Sequence, residues 1–269
     1  MSIITISRGS YSKGKEIAEK LAEKLGYKCI SRDVLLEASS HFNIPEVKLV
    51  RALHDAPSVL DRFTYGKEMY IAFIREALLE AVQDGNVIYH GLAGHFILKD
   101  VPHIMRVRII ANLEDRVKEE MKREGISGDA ARKILKKDDA ERRKWSLQLY
   151  GIDTADASLY DFVLHIDKLK VDDAVELLVD AAGRPCFQPG PESRRIIDDM
   201  VLAAGAEAAL ISKFPSARVV CKEGTAYVTI EAPMRREKAV AKQAKDLVKS
   251  VKGIKKVKVN VMPIITYYE

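Results

Sequence analysis

A chain of 269 residues is longer than one ordinary core requires and suits two domains. Its 47% apolar and 31% charged residues exclude a disordered or fibrous chain, and no stretch is long and apolar enough to suggest a membrane span. The net charge of +5 is uneven, because residues 1–187 carry −1 and residues 188–269 carry +6. Cys29, Cys186 and Cys221 are scattered without a C-x-x-C pair, which argues against a disulfide framework and a cysteine zinc site. The opening Met1-Ser2-Ile3-Ile4-Thr5-Ile6-Ser7 has no basic n-region and no small-residue cleavage site, so the expected location is the cytoplasm.

Residues 1–183 alternate strand and helix signals. Ile3-Ile4-Thr5-Ile6 reads as a β-branched strand. Gly14 to Leu25 reads as a helix, since Ile17, Leu21 and Leu25 recur every fourth residue, and Gly26 is its stop. Lys28-Cys29-Ile30 is a short strand. Helical patterns follow at 33–40 and 67–83, then a strand at 86–90, a strand at 105–110, a helix at 113–123, a strand at 162–166 and a helix at 171–182. Five short strands with helical crossovers predict an α/β fold: a five-stranded parallel sheet with helices on both faces.

The first strand-to-helix turn carries the main chemical signal. Gly9-Ser10-Tyr11-Ser12-Lys13-Gly14-Lys15 matches G-x-x-x-x-G-K, a phosphate-binding loop. Glycine lets backbone N–H groups curl around phosphate oxygens, and the following helix aims its N-terminal N–H groups at the same anion. Lys15 supplies a point charge for β- and γ-phosphates. Glu16 follows, where Ser or Thr usually holds Mg²⁺. It either ligates Mg²⁺ itself or sits in the first turn because the helix dipole favours an acid there.

These residues also resemble a known family. Ile4-Thr5-Ile6-Ser7-Arg8, Ser12-Lys13-Gly14-Lys15-Glu16-Ile17-Ala18 and Leu21-Ala22-Glu23-Lys24-Leu25-Gly26 resemble the opening of the cytidylate kinase-like family of bacterial nucleoside monophosphate kinases. Members commonly carry Glu after the loop's basic residue. The likeness continues at Arg32, Arg123-Glu124-Gly125-Ile126-Ser127, Ala130-Ala131-Arg132-Lys133, Lys136-Lys137-Asp138-Asp139-Ala140-Glu141-Arg142 and Tyr160-Asp161. It implies a P-loop kinase fold with a helical lid, ATP and Mg²⁺ as cofactors, and CMP or dCMP as acceptor. Gly9 to Glu16 would hold ATP, Glu16 the metal, and Arg32 with Gly91 the acceptor.

The lid makes physical sense by itself. Phosphoryl transfer needs positive charge around the moving group and exclusion of water. Residues 122–144 include Lys122, Arg123, Arg132, Lys133, Lys136, Lys137, Arg142, Arg143 and Lys144. Lys15, Arg132 and Arg142 are the expected catalytic cations, and Asp139 is expected to orient Arg142. Two positions depart from the pattern: Leu92 stands where the family usually has arginine, and Tyr11 where many loops have a small residue. His90 and His95 read as structural rather than catalytic.

Gly183-Arg184-Pro185-Cys186-Phe187-Gln188-Pro189-Gly190-Pro191 stops any helix, so 1–183 is expected to be the kinase domain, 184–191 a linker and 192–269 a second domain. That second part reads helix, strand, strand, helix, strand. Glu223-Gly224-Thr225 marks a hairpin, and Gly253 ends the last helix. Residues 223–230 and 248–257 resemble a BON domain, a small α/β (αββαβ) module thought to bind phospholipid or mediate contacts. Lys245, Lys249, Lys252, Lys255, Lys256 and Lys258 form either a face for an anionic phospholipid or a solvated surface that blunts an edge strand. Few aromatics interleave with them, so stacking on nucleic acid is not expected.

The leading reading is therefore a nucleoside monophosphate kinase. Its rivals are a catalytically degenerate nucleotide sensor coupled to a binding module, which Leu92 and Tyr11 favour, and a kinase of another small molecule. Acceptor identity and oligomeric state are left open by the sequence.

Overall fold

The computed structural model describes residues 2–9, 12–31, 66–91 and 93–264. The described elements begin with β1 (Ile3–Arg8), α1 (Gly14–Leu25), β2 (Lys28–Ile30), α2 (Gly66–Val82), β3 (Val87–His90), α3 (Gly94–Ile97), β4 (Ile104–Ala111), α4 (Leu113–Glu124) and α5 (Gly128–Tyr150). They continue with β5 (Phe162–Ile166), α6 (Val171–Ala182), α7 (Pro191–Ile211), β6 (Arg218–Lys222), β7 (Thr225–Ala232), α8 (Glu237–Lys249) and β8 (Lys256–Pro263). The helical pattern at 33–40, and Ser10, Tyr11, Arg32 and Leu92, lie outside the described residues. No described helix is long and apolar enough to cross a membrane, and the three cysteines are free thiols.

The chain divides into two compact units: residues 1–59 with 84–190, and residues 60–83 with 191–269. In the first, five parallel strands stand in the order β2-β3-β1-β4-β5. The central strand is buried because β-branched side chains fill both of its faces. Ile4 and Ile6, with Met105, Val107 and Ile109 of β4, pack under Ile17 and Leu21 of α1 and Val175 and Leu178 of α6. Each such side chain, fully buried, contributes about 1.5–3 kcal/mol. The every-fourth-residue stripe of α1 is its core face, and Gly26 closes the helix by donating to the carbonyls of Ala22 and Glu23. On the opposite face, Thr5 and Tyr89 press against α3 so closely that a Cβ on Gly94 would lie 2.4 Å from the Tyr89 ring.

In the second unit, the segment from Pro191 to Pro263 has the predicted order of helix, strand, strand, helix, strand. β6 and β7 form the hairpin, with Glu223 and Gly224 both at positive φ (52° and 78°), as a tight primed turn requires. β8 adds parallel to β7. Val219, Cys221, Ala226, Val228, Ile230 and Val257 face Leu210, Ala244 and Val248 of the helices. This unit also contains α2, which the sequence pattern assigned to the first domain. Arg75 pairs with Glu207 at 2.6 Å, Gln83 donates to Asp198 at 2.7 Å, and a Cβ on Gly205 of α7 would lie 3.5 Å from a Glu76 oxygen. Helix α2 buries Tyr70, Ile74, Leu78, Leu79 and Val82, leaving no narrow stripe from which a partner could be read.

Candidate phosphate site

The G-x-x-x-x-G-K segment leaves β1 at the carboxyl edge of the sheet, where parallel α/β folds bind ligands. Its base is fastened to the neighbouring strand. The Gly9 N–H donates to the Ile109 carbonyl at 3.3 Å, and buried Ser12 Oγ lies 3.0 Å from the carbonyls of both Gly9 and Ile109. Lys13 turns the chain at φ 66°, and α1 starts at Gly14. A Cβ on Gly14 would lie 2.7 Å from Arg8 Cβ, so the close approach of strand end and helix start requires glycine. The described part of the loop thus leads straight into the N-terminus of α1, whose first-turn N–H groups suit the phosphates of a nucleotide.

The loop's charged side chains are engaged in ion pairs with α1 and α4. Lys13 Nζ lies 3.0 Å from Glu119 and 3.8 Å from Glu16. Lys15 Nζ lies 3.6 Å from Glu19, and its side chain is 62% exposed. Glu16 also meets Lys20 at 3.6 Å, so its carboxylate stands between two ammonium groups in the first helical turn. This is the placement the dipole favours, and one carboxylate still leaves room for a Mg²⁺ that takes its other ligands from phosphate and water. Among the described residues, no three His, Cys, Asp or Glu side chains gather as a metal site.

The helical hairpin of α4 and α5 is held by Val117, Ala131 and Leu135 and by Ser127, which caps α5 by accepting from the Ala130 N–H at 3.3 Å. Arg132 is gripped by two carboxylates: Nε and Nη2 donate to Glu114 at 3.2 and 2.8 Å, and Nη1 to Asp129 at 3.0 Å. That grip lowers the Glu114 carboxyl below its ordinary range. Arg142 is half-buried on the same helix. Asp139 accepts from Arg116 Nη2 at 2.8 Å. Arg116 was missed by sequence reasoning. It is buried, and its Nη1 would lie 3.8 Å from a Cβ on Gly9, so a guanidinium stands beside the loop and is tied to α5. The available signal was its position in the first turn after β4, at the ligand edge of the sheet.

A second polar cluster centres on Tyr160. Tyr160 Oη lies 3.0 Å from the Thr154 carbonyl, 3.1 Å from His95 Nε2, 3.2 Å from Arg108 Nη1 and 3.3 Å from Ser7 Oγ. Burial pushes His95 down to about 3, aided by the Arg108 and Arg106 charges, so the ring is neutral at physiological pH. Arg106 is held by Asp161 through its backbone N–H at 2.8 Å and Nη2 at 2.9 Å. The Tyr160-Asp161 pair therefore braces β5 against β1 and β4. His95 lies within this brace, while His90 is the buried last residue of β3. At Gly91 a Cβ would lie 2.5 Å from Tyr89 Oη.

Comparison with known proteins follows the same outline. The profile of the cytidylate kinase-like family matches residues 3–168. A cytidylate kinase of Pyrobaculum aerophilum is 25% identical over 182 residues, 67% of this chain and 92% of that protein. A cytidylate kinase of Pyrococcus horikoshii is 25% identical over 169 residues, 62% of this chain and 80% of that protein. A solved structure of an uncharacterized protein from Eubacterium ventriosum shares the fold with a TM-score of 0.52 at 22% identity, covering 67% of this chain and 98% of that one.

Proposed function

Since the chain belongs to the cytidylate kinase-like family and is a kinase-type phosphotransferase, we propose that it moves the γ-phosphoryl group of ATP to CMP or dCMP. The observation that carries this reading is the Arg116–Asp139 pair at 2.8 Å beside Gly9. It links the lid helix to the phosphate loop, so closing the lid and binding phosphate act on the same group. ATP supplies the transferable phosphoryl group and Mg²⁺ the charge that screens it. The loop amides and Arg116 hold the phosphates. Lys15 leaves Glu19 by side-chain rotation to meet them, which its exposed pairing permits at a cost of about 0.5 kcal/mol or less. Arg142, and Arg132 once released from Glu114, neutralise charge on the moving group. Arg32 and Gly91 are proposed for the acceptor side and Glu16 for the metal. The second unit, read as BON-like, is proposed as a binding module.

The grip of Glu114 and Asp129 on Arg132 favours a second reading, a nucleotide sensor that binds without turnover. Product analysis with ATP, Mg²⁺ and a panel of nucleoside monophosphates separates them. CMP and dCMP should be phosphorylated fastest. Turnover of a different monophosphate would overturn the acceptor assignment. ATP binding with no turnover of any would establish the sensor.

A further inference from the structure

The small sheet of the second unit turns one face to its helices and leaves the other bare, and the bare face has an ordered composition. Pairing register fixes it as three rows across β6, β7 and β8. Arg218, Thr229 and Asn260 form one row, Val220, Tyr227 and Lys258 the middle row, and Lys222, Thr225 and Lys256 the third. Tyr227 is thus the centre of a grid with cations at three corners and on one side. None of the nine is acidic; Glu231 lies one row beyond, beside Met262. Val220 is 66% exposed and Tyr227 42% exposed. Lys258 Nζ lies 4.9 Å from the Tyr227 ring centroid, so an ammonium is held against the aromatic platform.

We propose that this face binds single-stranded nucleic acid. An aromatic ring standing in the middle of a sheet offers a surface on which a base of any identity can stack. Cations about one strand spacing away, roughly 5–7 Å, meet the phosphates on either side of that base. Thr225, Thr229 and Asn260 add neutral hydrogen-bonding groups at the height of base edges. An anionic bilayer fits less well: it rewards contiguous apolar surface, and here the middle of the face is flanked by threonines and an asparagine. A duplex fits less well too, because its bases are already stacked. The +6 charge of residues 188–269, against −1 for the rest, gives the long-range attraction. This departs from the sequence expectation, which followed lysines along the chain, whereas the grid is assembled across three strands.

The test is fluorescence anisotropy of the full chain with labelled oligouridine and oligothymidine of about 12 nucleotides, with ATP and CMP in excess to occupy the phosphate loop. Wild type should bind the single strands in preference to a duplex of equal length. Tyr227→Ala should weaken binding about 10-fold, and Tyr227→Phe should retain it. Lys222→Ala and Lys256→Ala should each reduce the slope of log affinity against log salt by about 0.7. Lys242→Ala, an exposed lysine on α8, should change neither. Equal losses from Lys242→Ala and Lys256→Ala, or insensitivity to Tyr227→Ala, would overturn the proposal. So would Tyr227-dependent binding to phosphatidylserine vesicles without oligonucleotide binding. Phosphoryl transfer should be unaffected by Tyr227→Ala, so this inference and the acceptor assignment fail separately.

Discussion

Arg116 and His95 show how burial decides what a charged or titratable side chain can do. A guanidinium taken out of water needs partners, and Asp139 at 2.8 Å is one of them. Arg116→Ala should lower kcat about 10²-fold, the scale of losing one preorganised donor, while Arg116→Lys recovers only part because it loses the planar fork. Steady-state kinetics checks this, and an unchanged kcat would remove Arg116 from the site. His95 makes a pH prediction. Its native pKa, about 3, lies below the ordinary 6.5. The unfolded chain therefore binds the extra proton between those values. The stability that neutral His95 contributes is present in full above pH 6.5 and is lost as pH falls toward 3. Glu76, raised to about 7, acts in the opposite sense in the second unit, so the measurement must be local. Trp145, the single tryptophan, serves: it packs on Tyr150, Tyr150 on Phe96 and Phe96 on His95. Denaturation followed by its fluorescence should give a wild-type midpoint that falls between about pH 7 and pH 5, with the fall flattened in His95→Gln.

The α4–α5 hairpin is where element-scale charge should separate into functional and solvated parts. Arg142 is half-buried and Lys144 exposed, two residues apart on α5. A group that acts on transition-state charge alters turnover more than ground-state binding. Arg142→Ala should therefore lower kcat for CMP by about 10²-fold with little change in ATP affinity. Lys144→Ala should leave both near wild type. Equal, small losses, compared by stopped assays and calorimetry, would mark the hairpin as a solvated basic surface. At this scale the sequence was a good guide wherever one residue type has one structural use. β-branched runs became β1 and β4, the Ile17–Leu21 stripe became the core face of α1, and Glu223-Gly224 became the hairpin turn. It was a poor guide to pairings. Asp139 has several arginines within reach along the chain, and only the packing of α4 on α5 brings Arg116 to it. The Tyr227 grid likewise exists only after three strands are placed in register.

At the scale of the whole molecule, the Pro/Gly run near 183–191 suggests a clean cut, and the first unit's last segment ends at Gly190. The cut is not clean in the other direction, since residues 60–83 belong to the same unit as 191–269. Helix α2 is joined to α7 by the Arg75–Glu207 pair, only partly exposed, and by close packing at Gly205, where a Cβ would lie 3.5 Å from Glu76. A chain ending at Arg184 would lack α7 altogether and leave Arg75 and the α2 surface that packs on it without their partner. Exposed apolar helix surface of that kind binds hydrophobic dyes and promotes association. The truncated chain should therefore bind anilinonaphthalene sulfonate, elute as more than one species in gel filtration and unfold with a broadened transition, while the full chain does none of these. Arg75→Ala in the full chain should be milder: it leaves Glu207, already pushed up by burial, without its cation, and costs about 1–3 kcal/mol. A monodisperse, cooperative and dye-free 1–184 fragment would show that α2 stands without α7, and that the discontinuous unit is two separable pieces rather than one core.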